Sequence, residues 1–252
     1  MSLSSKERER LAEHEATYWW HVAKRKYFRA LLDRFPVVLS AKSRVLDIGA
    51  AGGKTRELLP SGARFYLVEP ELHPAFRSVP ELLKIVARGE ALPFRPSSFD
   101  LVIAADVLEH VKEDERMARE IRRTLAMTGW FLLSVPAYPS LFSANDEALG
   151  HYRRYTTAGL RRLLRDSGFV IHFSSALFMS LLPAVILRRI LTPAGSPQPI
   201  SSYIEGPNWF NRCVIRWFDL EAKLISKFRL PLGSSLCVLA KRDFSTVQPT
   251  NP

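Results

Sequence analysis

From Arg44 to Phe173 the chain alternates between short apolar blocks and longer stretches whose apolar positions repeat at helical spacing. Short, nearly continuous apolar blocks suit strands buried on both faces. The pattern predicts strands at Arg44–Ile48, Arg64–Val68, Leu82–Val86, Phe99–Ala104, Trp130–Val135, Phe169–Phe173 and Ser235–Ala240. It predicts helices starting at Lys54–Leu59 and spanning Glu113–Ala126 and Thr157–Asp166, with Gly129 and Gly168 as stops. Such alternation predicts an α/β fold, a Rossmann-like doubly wound sheet of seven mostly parallel strands.

Two regions break the alternation. Residues Lys6–Phe35 hold good helix formers with no Pro or Gly before Pro36, and Tyr18, Trp19, Trp20, Tyr27 and Phe28 crowd the second half. Residues 1–43 are therefore expected as a helical lid, its aromatics packing on the core or covering a substrate pocket. The stretch from Ser175 to Leu232 is too long for a sheet connection, usually about 2–6 residues. It reads as a helical insertion before the last strand, with an apolar segment at 178–191, a Pro/Gly/Ser linker at 193–207 and a basic amphipathic segment at 212–230. The division expected is 1–43 lid, 44–175 nucleotide-binding core, 176–232 insertion, 233–242 final strand and 243–252 tail.

Composition narrows the class only a little. Of 252 residues, 47% are apolar, which supports a buried core and argues against disorder. The net charge of +11 admits nucleic acid, an anionic membrane or an anionic substrate without choosing among them. Cys213 and Cys237 match no metal or redox spacing, so a reducing compartment and no metal site are expected. The charged N-terminus lacks the apolar run of a signal peptide, so a cytoplasmic location is expected.

The first strand runs into Asp47-Ile48-Gly49-Ala50-Ala51-Gly52-Gly53 and then a helix start. Glycines there allow a tight turn and close approach of the backbone to a ligand. Glu69 stands 20 residues after Gly49, at the end of the second strand, where an acid can hold ribose hydroxyls. Together with Gly89-Glu90-Ala91-Leu92-Pro93-Phe94, Phe99 to Val111 and Gly129 to Pro136, these segments resemble class I S-adenosylmethionine-dependent methyltransferases in order and spacing.

The resemblance implies S-adenosylmethionine as cofactor, held by Asp47, Gly49, Ala51, Gly53, Glu69, Glu90, Ala91 and Asp106. Ala51 departs from the glycine usual in the family. NAD is a minor alternative, because the Gly89–Phe94 and Asp106–His110 segments fit the methyltransferase pattern better.

His110 and His151 are the candidate bases, since imidazole titrates near neutrality. His151 lies in a long polar segment, Asn145 to Tyr155, where long connections are often functional. Arg153, Arg154 and Tyr155 are expected to bind the acceptor, the arginines by offering paired donors to an anionic group.

The expected acceptor is a small molecule, a lipid or a lipid-linked saccharide. Segments 178–191 and 212–230 are expected either to cover a pocket and pack on the domain or to make a peripheral contact with the inner face of a membrane. The first is shorter than the roughly 20 residues that span a bilayer. Nucleic-acid methylation is the enzymatic alternative, but Ala105 to His110 lacks the Asn/Asp-Pro-Pro-aromatic arrangement of amino-directed enzymes. A non-catalytic cofactor-binding module is the other.

Overall fold

A computed structural model describes residues 17–50, 52–71, 83–191 and 208–243. Helix α1 (Trp19–Arg34) precedes strands β1 (Arg44–Ile48), β2 (Arg64–Glu69), β3 (Leu83–Val86) and β4 (Phe99–Ala105). Helix α2 (Asp114–Thr124) leads into β5 (Leu125–Pro136); α3 (Ala144–Ala148) and α4 (Thr157–Asp166) precede β6 (Phe169–Leu177). Helices α5 (Leu182–Leu191) and α6 (Asn208–Ile225) precede β7 (Ser235–Arg242).

The strands form one sheet in the order β3-β2-β1-β4-β5-β7-β6. Pairings from β3 through β5 are parallel, and β7 runs antiparallel between β5 and β6. This is the seven-stranded, mostly parallel sheet expected from the apolar blocks. Strand order reverses between β1 and β4, which opens a crevice at the carboxyl ends of those strands.

Period-2 alternation sends successive side chains of each strand to opposite faces. Val45, Leu67, Leu101, Leu132 and Leu239 share one core with α1 and α6. Leu46, Val68, Val102, Phe131 and Val238 share the other with α2 and α4. Each fully buried Leu or Phe contributes about 1.5–3 kcal/mol, so the sheet's rigidity comes from covering both faces.

Several boundaries differ from expectation for local reasons. The turn after Gly53 is a 3-10 helix, Lys54–Leu58, in place of a longer helix. Pro60 disfavours helical geometry at Leu59, which is extended at φ −102° and ψ 153°. Helix α2 stops at Thr124, and β5 begins at Leu125, five residues earlier than the apolar block suggested. Gly129 allows that strand to pass β4: a Cβ there would lie 2.8 Å from the Phe99 carbonyl oxygen.

On α1, Tyr27, Phe28 and Leu31 are wholly buried. That half of the helix is a layer of the core, while Trp19 and Trp20 lie against Phe178 at the base of the insertion. The insertion is fastened by the buried Glu221 carboxylate of α6, which accepts from the Met179 and Ser180 backbone amides and the Ser180 hydroxyl. Asp219 pairs with Lys26 of α1 at 2.6 Å. The expected linker at 193–207 and the helical expectation for residues 6–16 lie outside the described residues, and so does Ala51. Among the described residues, no helix is long and apolar enough to cross a membrane.

Candidate active site

Two loops meet at the crevice where strand order reverses. The first leaves β1 at Gly49, whose φ is +70° and whose amide donates to the Val68 carbonyl at 2.9 Å. A Cβ on Gly49 would lie 2.3 Å from Val107 Cγ2, so only glycine lets this turn close against the second loop. Gly53 is also left-handed, at φ +71°. Asp47 is buried and accepts a hydrogen bond from the Thr55 hydroxyl, which ties strand end to turn. Glu69 is the last residue of β2, half-buried beside this turn.

The second loop leaves β4 at Asp106, a non-glycine residue at φ +55°. Such backbone costs about 1–3 kcal/mol and persists only where its surroundings enforce it. Here Ser134 donates to Asp106 Oδ1 at 3.0 Å, and the Lys24 ammonium of α1 ion-pairs with Oδ2. Burial pulls the Lys24 pKa down to about 7, against the opposing field of Glu109.

A third segment, Gly89 to Phe94, is braced from outside. Arg123 of α2 donates to the Leu92 carbonyl at 2.9 Å and the Phe94 carbonyl at 2.7 Å. Glu120 accepts from the Leu92 amide at 3.0 Å and pairs with Arg123 at 2.7 Å. Gly89 packs where a Cβ would meet the Met117 sulfur at 2.8 Å. Glu90 and Ala91 are thereby displayed on a fixed turn.

His110 and His151, roughly 40 residues apart in sequence, come together edge to face with ring centroids 4.5 Å apart. The Tyr152 amide donates to the Glu109 carbonyl at 2.7 Å, and this docks the long loop after β5 onto the loop after β4. Asp146 is wholly buried and fully used. Its Oδ2 accepts from the Ser143 amide and hydroxyl, and its Oδ1 from Arg154 at 2.7 Å, while His151 Nδ1 sits 2.9 Å from the same Oδ1. Burial favours the neutral acid, but the bonds from His151 and Arg154 prevail and hold the Asp146 pKa at about 2. Burial of the ring, then the nearby His151, lowers the His110 pKa to about 4, although one edge of the residue reaches solvent.

Arg153, Arg154 and Tyr155, expected to bind the acceptor, find partners inside the chain. Arg153 bonds Asp114 at 2.9 Å and the Lys112 carbonyl at 2.7 Å. Arg154 bonds Asp146 and, at 3.3 Å, the Ala137 carbonyl. Tyr155 is buried and donates to Asp114 at 2.9 Å. These contacts hold the histidine-bearing loop in place, and they occupy donors that the sequence reading reserved for an acceptor.

Glu109, Lys24 and Asp146 are functional candidates the sequence reading missed. Glu109 follows an apolar strand and reads as an ordinary loop acid, yet it is wholly buried. Burial raises its pKa to about 8, opposed by Lys24 and Arg154.

Residues 19–172 match the methyltransferase-domain family, and the chain belongs to that family. An uncharacterized methyltransferase of Mycobacteroides abscessus is 32% identical over 117 residues, covering 43% of this chain and 45% of that protein. The chain spans about half the length of the first curated relatives it matches. A Mycobacterium tuberculosis protein named as an S-adenosylmethionine-dependent methyltransferase is 27% identical over 174 residues, 62% of each chain. Among solved structures, an S-adenosylmethionine-dependent methyltransferase from Mesorhizobium loti shares the fold with a TM-score of 0.56 at 17% identity, covering 86% of this chain and 98% of that one.

The chemistry of the crevice fits S-adenosylmethionine. The crevice offers a glycine turn that brings backbone close, an acid at the end of β2 for a diol, and the braced Glu90–Ala91 turn for a base.

Proposed function

We propose that the chain is an S-adenosylmethionine-dependent methyltransferase whose acceptor is a small molecule of lipid or lipid-linked character. In this reading Gly49, Gly53, Glu69, Glu90, Ala91 and Asp106 hold the cofactor, with Asp47 organising the turn; Ala51 joins them from the same loop. S-adenosylmethionine, when bound, supplies an electrophilic sulfonium methyl group. The chain's contribution is to orient the acceptor for in-line attack and to exclude water. Neutral thioether leaves, so no large negative charge needs stabilising.

The observation that carries the catalytic reading is the His151–Asp146 pair beside the Asp106 loop. Asp146 fixes the His151 tautomer, so that Nε2 is presented as an acceptor of a proton from a hydroxyl acceptor. His110 stands against the same ring. Arg153, Arg154 and Tyr155 act as positioning residues for this pair. His151→Ala is expected to cut turnover about 100-fold or more while S-adenosylhomocysteine affinity stays within about twofold. Unchanged turnover on the true acceptor would remove His151 from the site.

The acceptor class is supported by the insertion. An apolar cleft of about 270 Å³, lined by Trp19, Leu181, Phe210, Val214, Trp217 and Phe218, opens between α1 and α6. Packed side chains lie between it and the Asp106 loop: Phe178 stacks on Trp20 at 4.2 Å, and Lys24 sits over Trp20 at 4.8 Å. On the outside, Trp209, Cys213, Trp217, Leu220, Leu224 and Phe228 recur at helical spacing and are all exposed. Arg212, Arg216, Lys223 and Lys227 are exposed beside that stripe. A basic helix with an outward apolar face suits the surface of an anionic bilayer. Flotation with anionic vesicles at low salt tests this; protein that stays at the bottom of the gradient, whatever the lipid charge, refutes the membrane reading.

A further inference from the structure

We infer that Glu109, His110 and His151 form a binding site for a divalent first-row transition-metal ion such as zinc or iron(II). One donor atom from each of the three residues lies within 4.8 Å of the others. Two imidazoles and one carboxylate are a recurrent ligand set for such ions, one that leaves coordination positions open. With metal–ligand distances near 2.1 Å, neighbouring donors sit roughly 3–3.5 Å apart, so rotamer-scale closure completes the set.

Two independent features point to a ligand here. The Glu109 side chain is wholly buried, and neither carboxylate oxygen has a hydrogen-bond partner on another described residue. The nearby cations are already engaged, Lys24 by Asp106 and Arg154 by Asp146. Ionising a group buried in this way is costly, and a bound cation would relieve that cost.

The second feature is the outer support of His151. Metal-bound histidines nearly always give their other ring nitrogen to a carboxylate or carbonyl. His151 Nδ1 is held by Asp146 at 2.9 Å, which leaves Nε2 for an ion.

This inference rests on the same acceptor-side site as the proposed function, but it concerns ion binding and needs no acceptor; with an ion on Nε2, His151 is a ligand and no longer a base, so the two states of this ring exclude each other. An ion there would present open positions to an oxygen-bearing acceptor, which makes hydroxyl-bearing molecules the favoured class.

The test uses full-length, untagged, metal-free protein titrated with Zn(II) by calorimetry and with Co(II) by visible absorption. One ion per chain is expected. His110→Ala and His151→Ala should each weaken Zn(II) binding at least about tenfold, and Asp146→Asn about 10–100-fold. His110 reaches solvent, so its alanine variant guards against misfolding of the others. Every protein is also titrated with S-adenosylhomocysteine. Saturable binding that both histidine variants lose supports the site, whether or not the cofactor analogue binds. No saturable binding in protein that still takes S-adenosylhomocysteine overturns the site and leaves the methyltransferase reading standing. Equal Zn(II) affinity in wild type and both histidine variants also overturns it.

Discussion

Replacing Gly49 by alanine tests whether the cofactor crevice depends on a contact between two backbone turns. Two separable costs follow from the geometry. At φ +70° a residue with a Cβ costs about 1–2 kcal/mol. The new Cβ would also lie 2.3 Å from Val107 Cγ2 and 3.3 Å from Cγ1. Valine is branched at that point and cannot swing a flexible end aside, so an overpacking cost of about 1–3 kcal/mol is expected.

Val107 follows the strained Asp106 and precedes the Leu108–His110 turn. Relief of the clash therefore displaces the Asp106–His110 loop at the edge of the crevice. The summed perturbation of about 2–5 kcal/mol is shared between folding and binding. Denaturant unfolding and calorimetric titration with S-adenosylhomocysteine on Gly49→Ala, Val107→Ala and the double variant separate the terms. Gly49→Ala should bind the cofactor analogue at least about tenfold more weakly, since tenfold is about 1.4 kcal/mol. The double variant should recover the clash and retain the backbone cost of about 1–2 kcal/mol. The reasoning fails if Gly49→Ala changes stability by under about 0.5 kcal/mol and affinity by less than twofold.

Two further substitutions probe the supports of the crevice. Glu120 has its pKa lowered mainly by the hydrogen bond from Arg123, so it stabilises the fold above the ordinary carboxylate range and loses that contribution as pH falls through its lower folded value. Glu120→Gln should cost about 1 kcal/mol at pH 7 and flatten the loss of stability below about pH 4, measured by urea unfolding at several pH values; an acid limb as steep as wild type would contradict this. Lys24→Met removes the buried partner of Asp106 and should destabilise the protein by about 1–3 kcal/mol, less than a fully buried pair because Asp106 is 27% exposed. Cofactor-analogue affinity should drop with it, and a variant as stable as wild type by thermal unfolding would show that Asp106 does not need the pair.

The sheet was readable because burial on both faces forces nearly unbroken apolar blocks, as in Leu101-Val102-Ile103-Ala104. Helix α4 was readable because its ends are local chemistry: the Thr156 hydroxyl accepts from the Gly159 amide, and Gly168 follows at φ +81°. Boundaries set by contacts across the sheet were less so, which is why β5 begins early, where Gly129 slides past Phe99.

The candidate site divides along the same line. Gly49 and Glu69 announce themselves by position along the chain. Lys24 looks like any charge on an amphipathic helix until α1 is laid on the sheet and its ammonium reaches Asp106. The meeting of Glu109 and His110 with His151 depends on the backbone bond from Tyr152 and on the contacts of Arg153 and Tyr155 with residues 108–114, between loops far apart in sequence. No periodicity reports those contacts. For Arg153 and Arg154 the residue type suggested an anion site, and the fold adds what the sequence does not report, the pairing of Arg153 with Asp114 and of Arg154 with Asp146.

The antiparallel β7 has a consequence for synthesis. It is made after the other six strands of this sheet, and it hydrogen-bonds on one side to β5 and on the other to β6. Until residues 235–242 emerge, both of those strands present open edges. The nascent chain therefore passes through a stage in which the cofactor crevice can be assembled while its neighbouring half-sheet is unsealed and prone to pair with other chains. A cell making this protein would meet this aggregation hazard while β7 is still missing, and nascent chains stalled before Ser235 should be the ones that bind chaperones most strongly.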